Sequence, residues 1–163
     1  DIDERPLAEQ VAPLLKLLAP DDYCLHYDPK VKNIGVCRYA AQPSELLQYY
    51  PYDRNLTCTQ SQASLDKKQV TDYRKQIRAG CRPIILTLSA EDAWCEFVID
   101  GHHKLEAYER QQTRPAVLCI TRWHPPSISK MEGLAVFPAG HKGRKEYRRV
   151  REMMEGISAR RNS

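Results

Sequence analysis

Apolar side chains recur along this chain with two periods, and the switches between them mark its elements. Leu7, Val11, Leu14, Leu15 and Leu18 fall three and four apart, which predicts a helix over 7–18 with Pro13 as a kink or boundary. Residues 23–27 and 34–38 read as strands, and the turn-like stretch 28–33 between them predicts a hairpin. Ser44 caps a short helical stretch over 45–50 that Pro51 ends. From Ser64 the pattern sharpens. Val70, Tyr73 and Ile77 share one face of a helix that starts at Ser64 or Asp66 and ends at Gly80. A strand over 83–88, a turn over 89–93 and a second strand over 94–99 come next. Gly101 then opens a helix with Leu105 and Tyr108 inward, and a third strand covers 116–121. That succession predicts a compact α+β domain in which helices pack on a small mixed sheet.

The chain divides accordingly into an N-terminal extension of helices and a hairpin over 1–63, a core over 64–123, and a C-terminal extension over 124–163. With 163 residues and 42% apolar content it can bury one core, and it is not composed like a disordered chain. No run of about 18 apolar residues is present, which excludes a membrane span, and the polar N-terminus is unlike a secretory signal. The first residue is Asp1, which leaves open a lost leader or a neighbouring domain. Six cysteines, Cys24, Cys37, Cys58, Cys81, Cys95 and Cys119, are scattered with no C-x-x-C pair. They read as reduced thiols of a cytoplasmic protein, with an extracellular disulfide framework as the alternative that an even count leaves open.

Net charge is +4, but residues 141–163 hold eight Lys or Arg against three Glu, a local +5. Tyr147, Val150, Met154 and Ile157 are spaced through that tail as the apolar stripe of an amphipathic helix. It reads first as a helix docked on the body, and second as a contact for nucleic acid or another acidic partner.

Chemistry concentrates in Phe97-Val-Ile-Asp-Gly-His-His-Lys-Leu-Glu-Ala-Tyr108. A strand that runs through Gly101 into a helix aims the helix's first N–H groups and the positive end of its dipole at the turn, where a phosphate is stabilised. Gly101 lacks a Cβ and permits close backbone approach, while Asp100, His102, His103 and Lys104 bring a carboxylate, two imidazoles and an ammonium together. Asp100 also has a plainer reading as a helix cap. A zinc site joining the two histidines to His124, His141 or a cysteine fits no metal-ligand spacing. Lys67, Lys68, Arg74, Lys75 and Arg78 read as a solvated helix face.

Leu65-Asp66, Val70, Ile77-Arg-Ala-Gly80 and Pro83-Ile84 resemble, in order, the Asp-capped helix, glycine and proline-led strand of the ParB/sulfiredoxin superfamily. Gly101-His-His-Lys104, Ala107-Tyr108 and Pro115-Ala116 are similar to the sulfiredoxin Gly-Cys-His-Arg loop with its following helix and strand. The resemblance spans about residues 65–121. It implies a nucleotide whose phosphates lie at the helix after Gly101 and whose nucleoside lies near Asp66. Gly101, His102, His103, Lys104 and Gln69 are then nucleotide-binding, His103 being the phosphate-binding histidine and Lys104 standing in place of an arginine. The sulfiredoxin catalytic cysteine is replaced by His102, so sulfinic-acid reduction is not expected. Asp100-Gly-His-His-Lys104 is also similar to the Asp-Gly-x-His-Arg of free serine kinases in the superfamily. That likeness implies a kinase or NTPase using ATP or another NTP with Mg²⁺, with Asp100 and His103 catalytic and Asp100 a Mg²⁺ ligand. The kinases' glutamate base has no counterpart between Thr57 and Ala63. The arginine-rich loop and helix-turn-helix of partitioning ParB proteins are also missing. A ParB-like nucleic-acid-binding or nuclease module, and a non-catalytic interaction domain, are the alternatives.

Overall fold

The strand Ile84–Ala90, which carries no charged residue, comes to lie in the middle of the sheet. The computed structural model describes residues 5–38, 54–93 and 95–125, all of them within one contact-defined unit. The elements are α1 (Leu7–Leu15), β1 (Tyr23–Asp28), β2 (Ile34–Cys37), β3 (Arg54–Cys58), α2 (Lys67–Arg78), β4 (Ile84–Ala90), β5 (Glu96–Asp100), α3 (His102–Arg110) and β6 (Ala116–Arg122), with a 3₁₀ turn at Gln62–Ser64. Six strands form one mixed sheet in the order β1-β6-β4-β5-β3-β2. The β1/β6 and β4/β5 pairs are antiparallel, whereas β4/β6, β3/β5 and β2/β3 are parallel. β6 is buried on both faces from Ala116 to Ile120, as expected of a strand flanked on each side.

Residues 23–27 and 34–38 do form strands, but not a hairpin. β1 pairs antiparallel with β6 from Tyr23 opposite Arg122 to Asp28 opposite Val117, while β2 lies at the other edge, parallel to β3. The turn residues at 28–33 carry the chain across the sheet, because long-range pairing with β6 buries more than a local ribbon can. β3 was not anticipated, since Arg54-Asn-Leu-Thr-Cys58 has too few apolar positions to stand out. The sheet therefore takes in strands from before residue 64, not only from the expected core.

α2 has the ends its sequence predicts. The Asp66 carboxylate accepts from Lys68 N–H at 2.6 Å and Gln69 N–H at 3.3 Å. Beyond the last turn Gly80 adopts φ +92°. Its N–H reaches Ile77 O and that of Cys81 reaches Gln76 O, the paired bonds of a Schellman ending. α1 continues through Pro13 and stops at Leu15, short of the expected 18. The helical stretch at 45–50 and the basic C-terminal helix lie outside the described residues.

α2 and α3 pack against each other and on one face of the sheet. Val70 and Ile77 of α2, Leu105, Ala107 and Tyr108 of α3, and Leu56, Cys58, Ile85, Val98 and Val117 of the sheet form the core, closed by Val31. Among the described residues no helix is long and apolar enough to cross a membrane.

The same sheet face carries a largely buried ion pair. Arg54 Nε donates to Glu96 Oε1 at 2.6 Å and Nη2 to Oε2 at 2.5 Å, and the Thr87 hydroxyl donates to Oε2 at 2.6 Å. Burial pulls the guanidinium pKa down, but the carboxylate more than restores it. Removing one partner of such a pair leaves the other charged in a poor solvent. Glu96→Leu is expected to cost about 3 kcal/mol or more in denaturant unfolding, and Arg54→Leu/Glu96→Leu together much less. Equal losses for the single and the double variant would contradict this.

Candidate functional site

The turn between β5 and α3 is shaped by a bulge and a glycine. Leu86 faces Asp100 while the next residue, Thr87, faces Val98, so Ile99 is the extra residue of a β-bulge just before the turn. Gly101 follows with φ +102°, a region that side chains other than glycine enter at a cost. A Cβ on it would also come within 3.1 Å of Ile85 Cα. Packing against β4 therefore also calls for glycine here.

Asp100 does not cap α3. The helix has no side-chain cap, Gly101 occupies the N-cap position, and the Asp100 carboxylate accepts instead from Lys104 Nζ at 2.7 Å. Lys104 also donates to Ile84 O at 3.0 Å and lies 5.9 Å from the centre of the Tyr73 ring.

Both imidazoles are taken up by backbone amides. His102, 7% exposed, accepts through Nε2 from Thr59 N–H at 3.1 Å. The Thr59 hydroxyl donates to Val98 O at 2.6 Å and lies 3.3 Å from the same nitrogen. His103 Nε2 accepts from Asp66 N–H at 3.0 Å. A nitrogen that accepts carries no proton, so in these contacts the ring proton sits on Nδ1. Burial pushes the His102 pKa below its ordinary 6.5, and His103 and Arg38 add to that, while Asp100 opposes it.

Gln69 is exposed on α2, and only its backbone N–H, held by Asp66, ties it to this corner. The structure therefore brings Asp100, Gly101, His102, His103 and Lys104 together at one helix start. Among the described residues no group of three or more His, Cys, Asp or Glu is placed to hold a metal ion, and His141 of the zinc alternative lies outside them.

A neighbouring cluster was missed. Glu106, 4% exposed, accepts from Gln62 Nε2 at 2.8 Å and Arg110 Nε at 2.6 Å, and pairs with Arg38 Nη2 at 2.9 Å. Arg38 also contacts Glu109. Burial raises the Glu106 carboxyl pKa, but the hydrogen bonds from Arg110, Arg38 and Gln62 outweigh it and hold the group below the ordinary range. Such a carboxylate is a poor proton acceptor. His102, Glu106 and Arg110 are four apart on α3, so that stripe was readable, whereas Arg38 and Gln62 arrive only through the fold.

All six cysteines are free of disulfides. Burial raises the thiol pKa values of Cys58, Cys95 and Cys119, which makes them weak nucleophiles. No known family, curated protein or solved structure matches the chain.

The His102 contact has a pH signature. Its folded pKa is depressed, so below the unfolded value, about 6.5, the unfolded chain binds a proton that the folded chain refuses. The stability from this contact is complete above that pH and is lost as pH falls through the lower, folded value. Between about pH 7 and pH 5 the melting temperature and the exchange protection of the Thr59 amide are expected to fall together. An NMR titration in which His102 protonates above its unfolded value would overturn the assignment.

Proposed function

We propose that this chain binds a nucleoside triphosphate with its phosphates at the first turn of α3, and transfers or hydrolyses the γ-phosphoryl group with Mg²⁺, as a ParB/sulfiredoxin-like domain. The observation that carries the reading is the start of α3, which has no side-chain cap and is opened by left-handed Gly101, with two imidazoles and an ammonium on its first three residues. Orphan N–H groups at a helix start attract anions, and these side chains add donors without adding acceptors. In this role His103 donates to a phosphoryl oxygen and Lys104 supplies positive charge, as a point charge and not as a bidentate fork.

Mg²⁺ is suited by oxygen ligands, commonly one or two carboxylates together with substrate phosphates. Asp100 offers one carboxylate, 66% exposed, of which Oδ2 already meets Lys104. That donor set fits an ion arriving with the nucleotide and not one resident beforehand. Glu106 is unsuited to act as the base, and no residue is assigned that role. The nucleic-acid alternative rests on a tail outside the described residues, and no described feature favours it.

Turnover of ATP and of CTP with Mg²⁺ by the wild type, Asp100→Asn and His103→Ala tests the reading, with circular dichroism to confirm folding. Each variant is expected to lose about a hundredfold in turnover, and nucleotide is expected to raise the wild-type melting temperature. Background rates in all three, without a thermal shift, would end it.

A further inference from the structure

We propose that the cleft between edge strand β2 and the C-terminal half of α3 binds a small amphipathic anion, a medium-chain carboxylic acid. The hydrocarbon lies on Ile34, Val36 and Leu105, and the carboxylate is answered by Lys32 and Arg114. The cleft measures about 370 Å³, inside the range of roughly 300–1,000 Å³ typical of small-molecule sites.

Its base is apolar and has no hydrogen bond to give. Val31, Leu105 and Tyr108 are each 1% exposed, and the Tyr108 hydroxyl is spent on Pro83 O at 3.0 Å. A polar group laid there would lose its water without replacement, so the base selects hydrocarbon. The rim sets the sign of the charge. Val31 N–H donates to Pro115 O at 3.0 Å, which brings the segments of Lys32 and Arg114 alongside each other. Both cations are exposed, and among the described residues neither has an ion pair. Glu109, the acidic residue of the rim, is already met by Arg38. Positive charge above an apolar base fits a head-and-tail anion and penalises both a cation and a uniformly polar solute. The cleft uses the other end of α3 from the Asp100 to Lys104 turn, so this inference stands apart from the nucleotide reading.

Titrating the full chain with octanoate, and separately with 1-octanol, while following ¹H–¹⁵N NMR spectra tests it. Octanoate is expected to shift the amides of Val31, Val36, Leu105 and Gln112 in a saturable way below about 10 mM, and octanol to bind several-fold more weakly. Lys32→Glu/Arg114→Glu alters only exposed positions and is expected to weaken octanoate about tenfold or more. No saturable shift, shifts centred elsewhere, equal binding of the alcohol, or undiminished binding by the double variant would each overturn the proposal.

Discussion

The start of α3 is held by three consecutive residues that each tie a different part of the fold. His102 accepts from Thr59 just past β3, His103 from Asp66 at the head of α2, and Lys104 donates to Ile84 of β4. Consecutive helical residues point about 100° apart, so one turn can reach three directions at once. The amides of Thr59 and Asp66 lie in an irregular connection with no strand or helix partner to take them. An unmet N–H that loses water costs on the order of 1–3 kcal/mol, and an imidazole nitrogen removes this cost while staying uncharged. Asp66 joins the two ends of the connection, since its backbone serves His103 while its carboxylate starts α2.

Among the described residues, the buried and largely buried carboxylates near the helix face of the sheet are paired. Glu106 has two guanidiniums and an amide, and Glu96 has Arg54 and Thr87. One nitrogen of this set, Arg54 Nη1, is buried without a partner. By contrast the Asp100–Lys104 pair has a largely exposed carboxylate, and exposed pairs contribute about 0–1 kcal/mol. The strong pairs thus sit in the frame and the weak one sits at the turn, where an exchange of partners costs least.

How much of this was legible follows from which interactions are local. α2 was readable to its cap, because Asp66 and Gly80 act on neighbours within three or four residues. β4, β5 and β6 were readable from their apolar runs, with ends shifted by two residues or fewer. The partners of β1 and β2 were not, since strand pairing is settled by sheet-wide burial and not by the turn between them. β3 escaped because three of its five residues are polar and are covered by tertiary contacts, Arg54 by Glu96 above all. At the turn, the gathering of Asp100 to Lys104 was plain in the sequence. That the histidines accept from Thr59 and Asp66 was not, because a backbone amide leaves no mark in a sequence of side chains.

Those contacts alter what the two histidines can be asked to do. A histidine that only anchors a loop needs an acceptor and nothing more, and both rings meet that need through Nε2. The anchoring also fixes the tautomer and so leaves Nδ1–H on each, a hydrogen-bond donor without positive charge. A structural task and a binding task are therefore not rivals here, because they use opposite sides of one ring. The rivalry lies between Asp100 and an incoming anion for Lys104. Under the proposed function that pair must part, with the ammonium passing to phosphate and the carboxylate to the metal that accompanies it. The exchange keeps each charge answered, since the carboxylate it releases already faces water while the more buried ammonium keeps Ile84 O and gains the phosphate.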